Sequence, residues 1–495
     1  MTESDVLSHQ VREFAIGWYR DTQGIDQTEF GGISVGSTLS YLIWQATASI
    51  LRYSLRFEES LRQGATPTIW RDATPLEHRV AYNYGVASSL QANRSLVPQL
   101  DEQVISQRML NVPLSAKAVQ KIQAAFHSHL DFPKHLWIAD WLTHHVSRAD
   151  PLGTVLYRKS FHRSAIPHTN AATRLQAERY FPKDIDLLFN DQRLMEFLAR
   201  EEFEWPNFAM TALCGYVQDT YRSIREVLVE ASAQILSMLE FYSPSTVFLP
   251  GDSIETWNLW YQFCQLLHIK TVMYMDGYAV IPFFPLLKDS RNTSWLVNGI
   301  AAYGSAQADM YQKNDYPTSQ IEVVNPPFIL HQQRLRLRRK EFDAIVLTWT
   351  HNNLNPHSDS HSPATTLASV LHTLRKCGKK TIAVKVRWPG ELPYIREVLK
   401  GVGSDAVVLE GYLWQHLERS NLFIGGISTA LAEVSAKKKR YVVFEPAENG
   451  YTDLQIGRAT VISRKTIARD TCELEVLIRS GESSWIGDPE SNLLR

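Results

Sequence analysis

Short apolar runs that stop at glycine, or at an acid followed by glycine, recur through the second half of the chain, each followed by a stretch with helical spacing. Residues 246–249 read as a strand, Pro250-Gly251-Asp252-Ser253 as a turn and cap, and 254–268 as a helix. Residues 270–275 form a second strand that ends on Asp276-Gly277. A similar unit follows over 297–327, with Gly304-Ser305 between a strand and a helix and a further strand at 321–324. Strands are then predicted at 344–349, 381–386 and 407–409, with helices near 367–377 and 412–419. The stretch NLFIGGISTALAEVSAKKKRYVVFEP (421–446) closes the series as strand, glycine turn, helix and strand. Strands alternating with helices in this way predict a parallel α/β sheet, doubly wound, in the second half of the chain.

The first half is less regular. Gly31-Gly32 and Gly36-Ser37 make a glycine-rich loop that runs into a helical pattern over 38–63. A strand at 64–70 and a helix at 75–91 come next, and 101–240 reads as mostly helical with breaks at prolines. The organisation expected is an N-terminal α/β domain over 1–335 with a helical insertion at about 101–240, a C-terminal domain over 336–475, and a tail over 476–495. The basic segment HQQRLRLRRKE (331–341) marks the boundary, either as a solvated linker or as a contact for an acidic membrane surface.

Composition narrows the classes. The 495 residues are 44% hydrophobic and 21% charged, enough for more than one buried core. A formal net charge of -1 gives no general attraction to nucleic acid. Four cysteines, Cys214, Cys264, Cys377 and Cys472, lie far apart, which fits reduced thiols rather than a structural zinc site. The start of the chain lacks a basic-then-apolar signal pattern, and no apolar run reaches the ~18 residues of a membrane span. A cytoplasmic protein is expected, with at most peripheral membrane contact. There is no Walker A run and no well-formed GxGxxG, which weighs against a P-loop NTPase and a conventional dehydrogenase.

Candidate chemistry gathers where strands end. A helix start carries unpaired N–H groups and partial positive charge, so Gly426, Ser428 and Thr429 suit an anion, and Glu433 one turn on can accept from ribose hydroxyls. The alternative is an ordinary crossover with a glycine-rich turn. Lys385 and Arg387 alternate at the end of a strand and can neutralise a phosphate, or can be no more than an exposed strand end. Asp252 and Asp276 fall beyond the carboxyl ends of strands, where either can serve as base or nucleophile; equally, Asp252 can be a helix cap and Asp276 half of a turn pair. Gly32, Ser34 and Gly36 can form a loop that contacts a substrate, or a mobile entry loop. Asp184-Ile185-Asp186 has an acid-x-acid metal spacing that arises easily by chance, and the adjacent His144 and His145 point apart; no metal site is expected.

Taken together, residues 297–326, Lys385-Val386-Arg387-Trp388-Pro389 and Gly426-Ile427-Ser428-Thr429 resemble the GT-B glycosyltransferases of bacterial surface-polysaccharide assembly. The similarity is to the broad group with capsule, lipopolysaccharide, sialyl-, Kdo- and CDP-glycerol transferases. In that group a strand ends in Lys-x-His-Pro or a basic variant, and here Arg387-Trp388 stands where many members have His. Asp276-Gly277 sits where several members carry an acidic pair before glycine, but here the preceding residue is Met275. The resemblance covers about residues 245–460. It implies two Rossmann-like domains and transfer of a sugar from a nucleotide-sugar donor to a glycan or lipid-linked acceptor, with no cofactor or catalytic metal. Sugar-nucleotide 2-epimerases share this architecture, and a non-catalytic scaffold that binds glycan or nucleotide is the third reading.

Overall fold

The computed structural model describes residues 17–21, 23–40, 62–63, 135–138, 154–156, 171–183, 206–250, 255–274, 297–313, 320–324, 340–348, 363–387, 391–446 and 461–487. A two-stranded antiparallel hairpin, β1 (Glu29–Phe30) and β2 (Ile33–Ser34), opens them. Two six-stranded sheets carry the rest.

The first sheet has the order β4 (Thr154–Leu156), β3 (His135–Ile138), β5 (Thr246–Pro250), β6 (Lys270–Tyr274), β7 (Gly299–Tyr303), β8 (Ile321–Val324). The pairs β3·β4, β3·β5, β5·β6 and β7·β8 are parallel. Helices α1 (Ala171–Tyr180), α2 (Pro206–Tyr242), α3 (Glu255–Leu266) and α4 (Ser305–Gln312) accompany it. The 101–240 region therefore supplies two strands as well as helices. This differs from the mostly helical pattern expected, because HLWI and TVL are too short to show a period-two signal.

The second sheet has the order β11 (Val407–Leu409), β10 (Ile382–Lys385), β9 (Ala344–Leu347), β12 (Leu422–Gly425), β13 (Arg440–Phe444), β14 (Ile467–Ala468). Every neighbouring pair is parallel. All residues of β9, β10 and β12 are buried, as central strands covered on both faces require. One face, through Ala344, Val346, Val384, Ile424 and Val442, packs on α5 (Pro363–Lys376), α6 (Leu392–Gly401) and α8 (Thr471–Ser480). Helix α7 (Thr429–Ala436), with Leu431 and Val434 fully buried, makes the β12–β13 crossover. Two Rossmann-like, doubly wound α/β sheets thus organise the described residues. The expected boundary at 335/336 lies outside the described residues.

Two elements depart from the expected pattern. Residues 412–419 form two short 3-10 turns, Leu413–Gln415 and Leu417–Arg419, because Gly411 takes a left-handed φ of 83° and the Gln415 side chain accepts the Tyr412 N–H at 3.1 Å. Nor does the fold stop at 475. Helix α8 runs to Ser480 and ends on left-handed Gly481, after which Ser484 N–H donates to Tyr441 O at 2.8 Å and Trp485 is buried. Among the described residues no helix is long and apolar enough to cross a membrane.

Candidate functional site

In the second sheet, β9 and β12 are neighbours from which the chain winds outward in opposite directions, giving a topological switch point. Open parallel sheets bind ligands outside the carboxyl ends of their strands at such a point. The residues beyond those ends are Thr348 after β9, Val386-Arg387 after β10 and Gly426-Ile427-Ser428 after β12. Glu445 and Arg469 follow β13 and β14.

A strap joins the first two strand ends. The Thr348 hydroxyl donates to Glu391 Oε2 at 2.7 Å, and the Arg387 N–H donates to the same oxygen at 2.9 Å and to Thr348 Oγ1 at 3.2 Å. These bonds tie Arg387 to Thr348 and Glu391 and leave the Arg387 side chain exposed. Lys385 differs: it is only 5% exposed, and its ammonium donates to the Val386 carbonyl. Burial pulls its pKa down, against the opposing pull of Glu391 and Glu433.

The turn after β12 is held from β13. A Cβ on Gly425 would lie 2.5 Å from the Tyr441 hydroxyl oxygen and 3.1 Å from Leu347 Cβ, so only glycine fits. The Tyr441 hydroxyl donates to Gly426 O at 2.8 Å, the Ser428 side chain is hydrogen-bonded to it, and burial pushes its pKa well up. The Ile427 N–H donates to Glu445 Oε1 at 2.7 Å. Burial raises the Glu445 pKa, while that hydrogen bond and the Arg469 guanidinium act in the other direction. Ser428 occupies the N-cap position of α7 in extended backbone (φ -157°), but its hydroxyl does not cap the helix. Glu433, on the second turn of α7, is half-buried, and desolvation pushes its carboxyl up to about 7 even with the Lys385 charge acting to lower it.

Gly425→Ala should therefore cost about 1–3 kcal/mol by overpacking. Tyr441→Phe in the same background should recover part of that loss, because the obstructing oxygen is gone. Urea denaturation of the two single variants and the double variant measures the coupling.

Of the residues picked out by sequence, Lys385, Arg387, Gly426, Ser428, Thr429 and Glu433 all belong to this one edge. Thr348, Glu391, Tyr441 and Glu445 support it and have no local signature, since their contacts span 15 to 43 residues of sequence. The run 437–440 is spent on structure. Lys439 pairs with Glu418 at 3.2 Å and donates to Asn421 Oδ1 at 3.0 Å, while Arg440 donates to Ile478 O at 3.0 Å at the C-terminus of α8. Asp252, Asp276, Asp184, Asp186, His144 and His145 lie outside the described residues.

The glycine-rich loop near the N-terminus is a packed hairpin. Gly31 and Gly32 take φ of 62° and 90° in its turn, and Ser34 caps the helix that starts at Val35 by accepting the Ser37 N–H at 2.9 Å. Gln262 of α3 clamps the second strand, accepting the Ser34 N–H at 2.6 Å and donating to Ser34 O at 3.1 Å and Thr38 Oγ1 at 3.0 Å. A Cβ on Gly36 would fall 2.1 Å from Tyr19 Cγ. Close packing accounts for these glycines without a substrate.

The sheet orders and the edge of the second sheet define a two-domain α/β protein of the Rossmann type. No protein-family model matches the chain. No curated protein matches it in sequence. Solved structures similar to it include a UDP-GlcNAc 2-epimerase from Neisseria meningitidis bound to UDP-GlcNAc, at 11% identity and TM-score 0.40, over 72% of this chain and 95% of that one. A UDP-GlcNAc 2-epimerase from Methanocaldococcus jannaschii in complex with UDP-GlcNAc and UDP aligns at 9% identity and TM-score 0.39, over 72% and 95%. MurG of Acinetobacter baumannii aligns at 11% identity and TM-score 0.32, over 70% and 90%. At such distances these likenesses do not bear on chemistry.

Proposed function

We propose that this protein is a glycosyltransferase that takes a sugar from a nucleotide-sugar donor and passes it to a surface glycan or a lipid-linked precursor. The observation that carries this reading is the turn Gly425–Ser428 at the switch point of the second sheet, where the glycine pair Gly425-Gly426 leads into a helix start with no side-chain cap. Helix-start amides and the exposed Arg387 would receive the phosphates, and Glu433 the ribose hydroxyls. The leaving phosphate would be stabilised by these groups without a metal, each donor contributing about 3 kcal/mol by analogy with oxyanion holes. Asp276 is proposed as the catalytic carboxylate, with Asp252 as the alternative.

A screen of CMP, CDP, UDP and GDP by thermal shift and calorimetry tests the site. Stabilisation by at least one of them is expected, and none at saturating concentration would overturn the reading. A second reading, a sugar-nucleotide 2-epimerase, is favoured by the amine and carboxylate side chains that share this edge, Lys385, Glu391 and Glu433. Product analysis separates the two, since an epimerase converts its substrate with no acceptor present and a transferase releases free nucleotide only with one.

A further inference from the structure

One peptide unit, Gly426–Ile427, has both of its polar ends held by side chains from a neighbouring strand. Its carbonyl, Gly426 O, accepts from the Tyr441 hydroxyl at 2.8 Å, and its N–H, on Ile427, donates to Glu445 Oε1 at 2.7 Å. Tyr441 lies in β13 and Glu445 just beyond its end, an even four positions on, so the two side chains rise from one face of the strand. Both anchors are themselves tied down. Tyr441 is fully buried, and its carbonyl accepts the Ser484 N–H at 2.8 Å. The Glu445 N–H donates to Ala468 O at 2.9 Å, and Arg469 Nη1 donates to Glu445 O at 3.1 Å.

The unit they hold is one that local backbone chemistry leaves free to turn. Gly426 has no Cβ and permits either orientation of the peptide that follows it. Turned over, that peptide would present a carbonyl where it now presents an amide, at the residue before the N-cap Ser428. We infer that Tyr441 and Glu445 are positioning residues that clamp the Gly426–Ile427 peptide in one orientation, so that the start of α7 meets a phosphate already arranged rather than reorganising as it binds. The clause about the phosphate rests on the nucleotide reading above; the clamp does not. Ordering the turn in advance removes that cost from binding, so releasing either end should weaken affinity.

The experiment measures amide hydrogen exchange at Ile427 by NMR in unliganded protein, and nucleotide affinity by calorimetry with CMP, CDP, UDP and GDP. Tyr441→Phe does not touch the Ile427 N–H, yet it is expected to speed exchange there about tenfold, while the Val443 amide, bonded to Ser484 Oγ at 2.8 Å, keeps its rate. Glu445→Met should do the same, with Glu445→Ala in its place if Met folds poorly, and Glu445→Gln, which can still accept, should restore protection. Nucleotide affinity should fall about tenfold in Tyr441→Phe and in Glu445→Met, stay within about twofold in Glu445→Gln, and fall in the double variant by less than the product of the two losses. An Ile427 rate unmoved in Tyr441→Phe, or Ile427 and Val443 speeding up together, would overturn the inference and leave Tyr441 a general packing residue. A Glu445→Gln protein as impaired as Glu445→Met would overturn it too, since charge and not the hydrogen bond would then be acting. Selective exchange at Ile427 with no nucleotide bound by the unmodified protein would support the clamp and overturn the nucleotide reading alone.

Discussion

Gly36→Ala is expected to lower the stability of the N-terminal region by about 3 kcal/mol, at the upper end of overpacking effects. The added methyl would sit 2.1 Å from Tyr19 Cγ and 2.2 Å from Tyr19 Cβ, well inside any real contact distance. Tyr19 is buried and stands edge-on to Trp18 at 5.7 Å, so its ring cannot swing away cheaply. The backbone cannot retreat either, because the Gly36 N–H donates to Thr28 Oγ1 at 2.8 Å and the Ser40 hydroxyl donates to Gly36 O at 2.9 Å. Gly17→Ala is the control, since a Cβ there meets nothing within 4 Å, and it should change stability by less than about 0.5 kcal/mol. Urea denaturation of both variants checks the contrast. A Gly36→Ala protein of unchanged stability that fails only in acceptor use would restore a substrate role to this loop.

The largest effect on turnover is expected at Asp276. It lies two residues beyond β6, a strand inside the first sheet flanked by β5 and β7, and so in the sequence position where parallel sheets place their chemistry. Asn keeps the shape and the hydrogen-bonding reach but cannot take a proton. The rate of sugar transfer in Asp276→Asn should fall about 10²–10⁴-fold, the range that a general base contributes. Nucleotide affinity should be unchanged, since the groups proposed to hold the nucleotide all lie on the second sheet. Steady-state kinetics with calorimetry separates the two quantities. Full transfer activity in Asp276→Asn would move the assignment to Asp252, whose own Asn variant is the parallel test.

What the sequence disclosed follows from the range of the forces involved. Central strands such as β9, β10 and β12 are buried on both faces and so read as plain apolar runs. The turn at Gly425-Gly426 and the start of α7 were legible for a related reason, because glycine and the helix that follows are dictated locally. Strands β3 and β4 were not, since four and three residues carry too little pattern to compete with the helical segments around them. The strap made by Thr348 and Glu391 was hidden by its 43-residue separation, and the Ile427–Glu445 bond by 18. Residues 481–487 looked like a polar tail because a buried Ser484 satisfied by Val443 N–H at 2.8 Å has no signature distinct from an exposed serine.

Glu433 gives the folded protein a built-in tension. Its folded pKa, about 7, stands above the unfolded value of 4.5, so its contribution to stability is whole in acid below about pH 4.5 and is lost as pH climbs through 7. At alkaline pH the α7 end of the second sheet should accordingly open more readily than in acid, visible as deuterium uptake there that rises beyond the intrinsic pH dependence of amide exchange. A molecule that offers hydroxyls to that carboxylate would quiet the exchange most strongly in the same alkaline range.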